Sequence, residues 1–473
     1  MAQRDWPMGR PAPLPQNVLD ELRAIVGERL STSAAVRAHH GKDESYHTPQ
    51  PPDAVVFPET TEEVRAIVVA CRRHRIPMVP FGAGTSVEGQ VLAPHGGVCV
   101  DFARMDRILA VHPEDLDATV QAGATRERLN DHLRHTGLFF PIDPGANATL
   151  GGMASTRASG TNAVRYGTMR ENVLGLTVVT ADGRVIRTAR RARKSAAGYD
   201  LTRLFVGAEG TLGLITEVSL RLHPLPEAIS AAVCPFPDVS SAVATVIQTI
   251  QSGIPIARSE LLDALTLRAV NRYAKTGHRE APTLFLEFHG TDAGVAEQAR
   301  AVEAIAREHG GLGFQWASRP EERSRLWKAR HEAYPACLQL VPGRRALVTD
   351  VCVPISRLAE CIEATQEDIA RTSLPVPLFG HVGDGNFHLI VLVDPQEPEH
   401  LREARTLNHR LVQRALALDG TCTGEHGIGV GKRDYLREEL GEGVELMVAI
   451  KRALDPDNLF NPGKIFPEDA ARG

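Results

Sequence analysis

Three segments rich in glycine, alanine and serine limit what the first half of this chain can fold into. They read VPFGAGTSVEGQV (79–91), PGANATLGGMASTRASGTNAVRYGTMRENVLGL (144–176) and FVGAEGTLGLITEV (205–218). Gly82, Gly84 and Gly89 do not have the GxGxxG spacing, and the residues that follow them do not have a helical pattern. The sequence therefore excludes a Rossmann loop. Two interpretations of the first segment remain: a nest of backbone N–H groups that binds a diphosphate, or a tight loop that only connects two strands.

Small residues allow the backbone to approach a flat ligand closely, usually at some cost in stability. A lone loop of this kind is more often a simple turn. Three such segments in the same part of the chain favour one large bound cofactor over three unrelated turns.

Length and charge narrow the class of protein. A chain of 473 residues predicts two or three domains. A net charge of −5 and a pI near 6.4 argue against a nucleic-acid surface. The one basic run, RTARRARK (187–194), has no interleaved aromatic residues, which predicts a solvated loop between strands.

The seven cysteines are scattered and form no CxxC pair, which indicates a reducing compartment and excludes a local iron–sulfur run. No apolar stretch is long enough to span a bilayer. The N-terminal stretch has neither the apolar core of a secretory signal nor the composition of a transit peptide. We therefore expect a cytoplasmic location, with at most peripheral association on the inner membrane face.

The order of sequence patterns predicts an α+β fold. Residues 17–30 have the periodicity of an amphipathic helix, and a strand–helix–strand unit follows with Thr60 or Thr61 as helix N-cap. Asp182-Gly183 predicts a hairpin within 173–186. Beyond a proline-rich junction near 226, helices (238–252, 293–309, 356–372 and 400–418) alternate with strands, which predicts an antiparallel sheet.

These patterns predict the following domains: a helical segment (1–46), a cofactor-binding domain (47–226), a substrate or cap domain (227–420) and a C-terminal segment (421–473) that completes the active site.

Two glycine-rich stretches in the second half carry histidines. In GHVGDGNFH (380–388), a Gly-Asp-Gly turn separates His381 from His388. The strand patterns on both sides allow the turn to bring the two imidazoles to one sheet end. In TGEHGIGVGKR (423–433), Glu425 stands beside His426. Two imidazoles and one carboxylate suit a divalent ion such as zinc or manganese. The alternative is that tight turns happen to carry histidine.

The glycine-rich segments resemble the FAD-binding domain of the vanillyl-alcohol-oxidase-type (PCMH-type) flavoproteins. GHVGDGNFH, GTCTGEHGIGVGKR and NPGKIF resemble the D-lactate and D-2-hydroxyacid dehydrogenase branch of that family. The resemblance runs from about residue 45 to the end. It implies a two-subdomain FAD-binding domain, a cap domain with an antiparallel sheet, and a C-terminal segment that returns to the flavin.

The resemblance also implies which residues line FAD. They are Pro80, Gly82, Ala83, Gly84, Thr85, Ser86, Gly89, Pro144, Gly145, Gly151, Gly152, Ser155, Gly160, Tyr166, Gly167, Glu209, Gly213, Ile215 and Asn461. Members with covalent flavin often carry a histidine in the first loop, where this chain has Thr85 and Ser86. We therefore predict noncovalent FAD.

The same resemblance assigns roles to the residues of the reaction. It makes His381, His388 and Glu425 the metal ligands and His426 the general base, since imidazole is a natural proton acceptor near pH 7. It places Asn386 at the substrate. In LWKARHEAYPA (326–336), Arg330 matches the arginine that binds the substrate carboxylate. Without the resemblance, Arg330 would be read as a surface ion pair. Tyr334, one turn on, would share the pocket face.

The resemblance implies an FAD-dependent D-2-hydroxyacid dehydrogenase, with D-lactate as the best single substrate. His426 and the metal would activate the hydroxyl, and a hydride would pass from the substrate Cα to flavin N5. Electrons would then leave to a cytochrome or quinone. Glycolate and D-2-hydroxyglutarate remain as substrates, the latter if Arg344 or Arg345 faces the pocket. The further alternatives are a noncatalytic flavin-binding subunit of an oxidase complex and a phenol oxidase. The oligomeric state is open, with a homodimer allowed.

Overall fold

The computed structural model describes residues 13 to 467. The first twelve residues of the predicted N-terminal segment, including most of the stretch without a signal pattern, lie outside the described residues. The chain divides into two compact units. Unit 1 contains the described residues up to Ser159, Gly167–Leu225 and those from Glu425 onward. Unit 2 contains Gly160–Tyr166 and Pro226–Gly424.

A largely parallel sheet lies near the start of unit 1. Its central strand pairs in parallel with a strand on each side, and a short antiparallel strand lies at one edge. In spatial order the strands are Leu30–Ser31, Ala54–Val56, Val98–Asp101 and Met78–Phe81. The predicted strand–helix–strand unit is therefore present, with a later strand inserted between its two strands.

The helix of that unit, Thr61–Arg73, shows why the local sequence folds as it does. The Thr60 side chain accepts a hydrogen bond from the Glu63 N–H, and Glu62 and Glu63 lie in the first turn, where the helix dipole favours acidic groups. Its apolar face is fully buried in the main core of unit 1 (Val64, Ile67, Val68 and Cys71).

An antiparallel sheet forms the second layer of strands in unit 1. In spatial order it joins Ile108–His112, Asp117–Gln121, Leu214–Arg221, Val173–Val179 and Val185–Arg187. The last two strands are the hairpin that Asp182-Gly183 predicts. A short pair, Leu138–Phe139 with His223–Pro224, lies beside it. The basic run 187–194 is exposed, as predicted, but it leads into a helix rather than a strand.

The last part of the chain completes unit 1. Phe460 forms a parallel bridge with Met78, which begins the edge strand of the first sheet, and both side chains are buried in the same core. The α-helices of unit 1 are Gln16–Val26, Ala34–His39, Thr61–Arg73, Arg126–Leu133, Leu150–Thr156, Met169–Asn172, Leu201–Phe205, Arg433–Leu440 and Gly443–Leu454. The predicted helix 17–30 ends at Val26, because its last residues form a 3₁₀ turn and a strand.

Unit 2 is built on an antiparallel sheet, as the sequence predicts. In spatial order its strands are Gln315–Ala317, Ala228–Pro235, Thr283–Gly290, Ile256–Leu262, Leu378–Gly380, Asn386–Val393 and Arg345–Val348. Val351–Cys352 also pairs with Asn386–Val393. The helices of the unit are Ala163–Tyr166, Val239–Gln251, Ala264–Ala274, Asp292–Glu308, Pro320–His331, Ala333–Leu338, Leu358–Ile369 and Pro398–Ala417.

All seven cysteines are free thiols, and six of them are buried. Between residues 13 and 467, no helix combines the length and the apolar character that a membrane crossing requires.

Candidate active site

A hairpin in unit 2 carries the two predicted histidine ligands. Its strands are Leu378–Gly380 and Asn386–Val393, and His388 lies opposite Phe379 in the ladder. His381 follows the first strand directly. The two imidazole ring centroids are 5.5 Å apart, and both side chains are buried. The turn thus brings the histidines together at one end of the sheet.

The turn of this hairpin requires a glycine at residue 385. Gly385 has a φ of +81°, and a Cβ added to it would lie 2.0 Å from the Val353 carbonyl oxygen. The Val353 N–H in turn donates to the Gly385 carbonyl at 3.0 Å. Gly385 therefore provides both a left-handed backbone and a close approach of two chain segments.

Hydrogen bonds within unit 2 set the orientation of both imidazoles. His381 Nδ1 lies 2.7 Å from Glu260 Oε1, and His388 Nδ1 lies 3.1 Å from the Thr349 carbonyl oxygen. Both partners are acceptors, so each Nδ1 carries the proton. Each Nε2 is then the nitrogen with a lone pair, which is the arrangement of metal-binding histidines.

Glu260 links His381 to the predicted carboxylate anchor. It lies on strand Ile256–Leu262 and has no exposed surface. Its second oxygen, Oε2, accepts a hydrogen bond from Arg330 Nε at 2.7 Å. Burial raises the pKa of Glu260, but the charges and hydrogen bonds of His381 and Arg330 outweigh that effect, and the pKa lies below its ordinary value.

The Arg330 guanidinium is held on two sides. Its Nε is bonded to Glu260, and its Cζ lies 5.2 Å from the centre of the Phe379 ring. Within residues 13–467, its terminal NH₂ groups donate no hydrogen bond. Arg330 is therefore oriented by Nε and stacking, and its end-on fork can receive a carboxylate.

The helix that carries Arg330, Pro320–His331, ends sooner than the sequence suggests. A second helix, Ala333–Leu338, begins after Glu332. Tyr334 lies on this second helix and packs against an apolar cluster of unit 2. Lys328 and His331 are exposed.

Asn386 is buried, and its amide nitrogen is used inside unit 2. Nδ2 donates to Asp350 Oδ1 and to the Val351 carbonyl oxygen, both at 2.7 Å. The amide of Asn386 therefore offers a ligand only its carbonyl oxygen. Asp350 is also an acceptor for the Thr423 hydroxyl at 2.7 Å, so the same carboxylate fixes the segment that leads to Glu425.

The second stretch, around Glu425 and His426, belongs to unit 1 and is anchored there. Gln90 Nε2 donates to the His426 carbonyl oxygen at 2.8 Å. The carboxylate of Glu209 accepts from the N–H groups of Ile428 at 2.7 Å and Gly429 at 2.8 Å. Two side chains from earlier glycine-rich segments thus hold the backbone that follows Glu425.

Glu209 has a raised pKa. Burial raises the pKa of its carboxyl to about 7, against the opposing effect of the two backbone donors and of Lys464. Burial similarly lowers the pKa of Lys464 to about 7. Lys464 Nζ donates to the Leu92 carbonyl and to Asn461 Oδ1. These contacts hold the C-terminal segment against the glycine-rich part of unit 1.

The three glycine-rich segments meet inside unit 1. A Cβ on Gly82 would lie 2.2 Å from Thr149 Oγ1, which joins the first segment to the second. The Glu209 N–H donates to the Ser155 carbonyl at 2.8 Å, which joins the second to the third. A Cβ on Gly210 would lie 2.3 Å from Pro80 Cγ, which joins the third to the first. The expectation that these segments serve one site is consistent with this geometry.

The first loop has the character of an anion-binding nest. In the described part of the chain, the backbone N–H groups of residues 83 to 87 donate no hydrogen bond. Asp43 fixes the end of the loop by accepting from the Ser86 hydroxyl and the Gly89 N–H, both at 2.9 Å. A run of unused backbone donors in an otherwise fixed loop fits a diphosphate.

The other small residues serve different purposes. A Cβ on Gly151 would lie 2.5 Å from Ala122 Cβ, and one on Gly213 would lie 2.7 Å from Val178 Cγ1. These two glycines permit packing within the protein. Around Gly145, by contrast, no described atom lies within 4 Å of an added Cβ. Gly145 is exposed, so it does not serve packing within the protein.

The remaining residues predicted to line FAD divide between the two units. Gly160 and Tyr166 lie in unit 2, where the Tyr166 hydroxyl is 2.7 Å from His289 Nδ1. Asn461 is buried in unit 1, and its Nδ2 donates to the carbonyls of Gln90 and Glu209. Unit 1 also contains Pro80, Gly82, Ala83, Gly84, Thr85, Ser86, Gly89, Pro144, Gly145, Gly151, Gly152, Ser155, Gly167, Glu209, Gly213 and Ile215.

Sequence patterns missed Glu260, Asp350 and Gln90. Glu260 stands in SELLD, where it reads as one polar residue in a strand. Its partners Arg330 and His381 follow 70 and 121 residues later. Only the apolar run around Glu260 hinted at burial, and a buried carboxylate needs partners.

Two family models match the chain. Residues 52–189 match the FAD binding domain, and residues 225–465 match the C-terminal domain of FAD linked oxidases. Curated relatives match over most of their length. "Probable D-lactate dehydrogenase, mitochondrial" of Danio rerio is 53% identical over 95% of this chain and 92% of its own. "D-lactate dehydrogenase [cytochrome], mitochondrial" of Arabidopsis thaliana is 49% identical over 96% of this chain and 81% of its own. "Glycolate oxidase subunit GlcD" of Bacillus subtilis is 36% identical over 97% of this chain and 98% of its own.

Solved structures show the fold. p-Cresol methylhydroxylase superimposes with a TM-score of 0.78 at 18% identity and covers 96% of this chain and 97% of its own. Alkyldihydroxyacetonephosphate synthase superimposes with a TM-score of 0.75 at 19% identity and covers 98% and 88%. The predicted PCMH-type fold is thus confirmed. The chain belongs to the FAD-linked oxidase family, in the branch of its D-lactate dehydrogenase (cytochrome) relatives, and is an FAD-dependent oxidoreductase.

Proposed function

We propose that this enzyme oxidises a D-2-hydroxy acid, with D-lactate converted to pyruvate as the best single reaction. The observation that carries the proposal is the arrangement in unit 2, where a buried carboxylate joins an oriented arginine to one of two paired histidines. The names of the relatives at 53% and 49% identity support D-lactate. Glycolate and D-2-hydroxyglutarate are the alternatives, since relatives at 36% and 31% identity carry those names.

FAD would be held by the segments that meet in unit 1. The unused N–H groups of residues 83 to 87 would bind its diphosphate. When bound, FAD supplies the acceptor for the hydride from the substrate Cα. We propose noncovalent attachment because Thr85 and Ser86 offer no imidazole to the ring. Acid precipitation should then release all of the flavin into the supernatant.

A divalent ion, zinc or manganese, would be held by His381, His388 and Glu425. The fit rests on the two imidazoles, whose Nδ1 atoms are engaged with acceptors so that Nε2 can bind a metal. Glu425 directly follows Gly424, and a Cβ on Gly424 would lie 2.2 Å from Asn386 Nδ2 in the hairpin. When bound, such an ion supplies a Lewis acid that lowers the pKa of a hydroxyl group.

Arg330 would bind the substrate carboxylate. Glu260 bonds the guanidinium through Nε, and the guanidinium lies over the Phe379 ring, so both terminal NH₂ groups are left to donate to the substrate. Two parallel hydrogen bonds to a carboxylate would orient the acid and restrict the rotation of its Cα. Asn386 would add its carbonyl oxygen as an acceptor for the substrate.

His426 would take the hydroxyl proton on its imidazole. Gln90 donates a hydrogen bond to the His426 carbonyl oxygen, and the following N–H groups donate to the Glu209 carboxylate. These bonds support the role of His426, because they fix the backbone from which its imidazole projects. A neutral imidazole is a suitable acceptor near pH 7.

The positions of Arg344 and Arg345 favour a monocarboxylate over D-2-hydroxyglutarate. Arg345 lies opposite Val393 in the ladder, five residues along the strand from His388. Five strand residues correspond to about 16 Å. Arg345 is exposed, and Arg344 donates to the Leu392 carbonyl oxygen. A second carboxylate on the substrate would therefore lack a partner from this pair.

The electrons would pass to a cytochrome or quinone, a proposal supported by the cytochrome-linked names of relatives from Arabidopsis thaliana and Saccharomyces cerevisiae. We propose a reducing compartment, because all seven cysteines are free thiols. The cytoplasm, with at most peripheral membrane association, is the location we propose. Several relatives are named mitochondrial. Cell fractionation tests the location.

Anaerobic bleaching of the bound flavin tests the activity. D-lactate should bleach the flavin rapidly, L-lactate should not, and a chelator should abolish the reaction. Faster bleaching by glycolate or D-2-hydroxyglutarate would show that this acid, and not D-lactate, is the preferred substrate. Absence of bleaching with every acid would favour the noncatalytic subunit or the phenol oxidase.

Substitution of one ligand tests the metal site. H388Q should lose metal and turnover while it keeps the flavin. H135Q, which changes an exposed histidine, is the control. Normal turnover by H388Q would refute the metal assignment.

A further inference from the structure

One buried carboxylate contacts both halves of the substrate site in unit 2. Glu260 Oε1 lies 2.7 Å from His381 Nδ1, and Glu260 Oε2 lies 2.7 Å from Arg330 Nε. No role in the family resemblance or in the names of the relatives accounts for Glu260. Its strand, Ile256–Leu262, pairs with Leu378–Gly380, which ends beside His381.

The two contacts use different oxygens of one rigid group. Any rotation of the carboxylate that shortens one contact therefore disturbs the other. Glu260 has 0% exposed surface, so bulk solvent reaches neither contact. The position of the Arg330 fork and the direction of the His381 Nε2 lone pair are thus set by the same side chain.

We propose that Glu260 is a positioning residue that couples the substrate anchor, Arg330, to the metal ligand His381. The inference rests on the proposed function and goes beyond it. Glu260 touches neither substrate nor metal. It keeps the Nδ1 proton of His381 in place and fixes Arg330 through Nε. Loss of either contact should therefore weaken the binding of both metal and substrate.

The coupling distinguishes this role from that of an ordinary buried ion pair. A structural pair would lower stability without changing metal affinity specifically. The sheet offers a matched case in Glu287, on the neighbouring strand. Its Oε1 lies 2.8 Å from His289 Nε2 and 3.5 Å from Arg258 Nε, and its exposed fraction is 7%. Glu287 thus has the same kinds of partner and similar burial, but neither His289 nor Arg258 is a predicted metal ligand or carboxylate anchor.

The experiment compares E260Q with E287Q in the full-length, flavin-loaded protein. Zinc binding is measured against a competing chelator, and flavin reduction is measured as a function of D-lactate concentration. We expect E260Q to weaken zinc binding and to raise the half-saturating D-lactate concentration, each by about tenfold or more. E287Q should change each by less than about twofold. Equal losses in both variants, or wild-type zinc and D-lactate binding in E260Q, would overturn the proposal.

R330K provides a second test that does not remove a carboxylate. Lysine cannot reproduce the Nε contact together with an end-on fork. We expect R330K to weaken zinc binding severalfold although Arg330 is not a ligand. Unchanged zinc affinity in R330K would show that the two halves are not coupled. If wild-type protein neither binds zinc nor is reduced by D-lactate, the proposed function itself is wrong.

Discussion

Replacement of Lys451 by methionine should destabilise unit 1 strongly. Lys451 is 1% exposed, and its ammonium group donates to Asp455 Oδ2, to the Thr211 carbonyl at 2.7 Å and to the Phe460 carbonyl at 3.0 Å. An ammonium group has three donors, so all are used. Asp455 is fully buried and also accepts from the Leu459 and Phe460 N–H groups.

Methionine keeps most of the volume but leaves the Asp455 charge buried and two carbonyls without their donor. Removal of one partner of a buried ion pair costs about 3–5 kcal/mol. The Leu459 and Phe460 N–H groups still donate to Asp455 in K451M, so we expect a loss of about 3 kcal/mol in the free energy of unfolding, at the low end of this range. K451M/D455N, which also removes the charge, should cost less than the sum of the single changes.

Flavin fluorescence, measured as urea releases the flavin, reports the unfolding of unit 1. We expect the midpoint for K451M to fall well below that of wild type. L446A on the same helix, where Leu446 is 66% exposed, should stay within about 0.5 kcal/mol of wild type. A loss below about 1 kcal/mol in K451M would refute the reasoning, because the buried charge would then be solvated or neutralised in another way.

Burial raises the pKa of Asp263 to about 6 from 3.8, so the folded state binds its proton more tightly and stability falls as pH rises between these values. D263N keeps an acceptor for the Thr266 N–H, so it should raise the free energy of unfolding at pH 8 by at most about 3 kcal/mol, with no gain near pH 4. Melting temperatures at the two pH values test this, and an equal gain at both would contradict it. G385A should lower both the free energy of unfolding and the zinc content, because its Cβ clashes with the Val353 carbonyl. The control G343A has φ +88° and no described atom within 4 Å of an added Cβ, so it should show only backbone strain of about 1–3 kcal/mol. Equal losses in G385A and G343A would contradict the clash.

Local patterns were sufficient for most elements of the fold. The N-cap at Thr60, the hairpin at Asp182-Gly183 and the helix predicted at 238–252, observed as Val239–Gln251, each depend on residues within one turn or one hairpin. The bridge between Met78 and Phe460 joins residues far apart in sequence, and no local pattern indicates it. The predicted helix 326–336 breaks at Glu332. Pro335 signals this break, because it has no N–H to donate to the His331 carbonyl and its ring disfavours a continuous helix there.

Only part of the candidate site could be predicted from the sequence, because some of its contacts join residues that are far apart in the chain. His381 and His388 stand within one hairpin, so their proximity follows from the turn between them. Glu260 becomes visible only when its strand is placed beside that hairpin. Composition does not distinguish Gly145, where an added Cβ has no neighbour within 4 Å, from Gly151, which packs against Ala122.

The bridge between Met78 and Phe460 also bears on how the chain acquires its structure during synthesis. The Met78 N–H donates to the Leu459 carbonyl, and the Asn461 N–H donates to the Met78 carbonyl. Residues 102–458, which include all of unit 2, leave the ribosome between the first sheet of unit 1 and these partners. At about 5–20 residues per second, synthesis of these 357 residues lasts roughly 20–70 s. Until then an edge of the first sheet lacks its final partner, so a chaperone that protects nascent chains has the greatest opportunity to act during this interval.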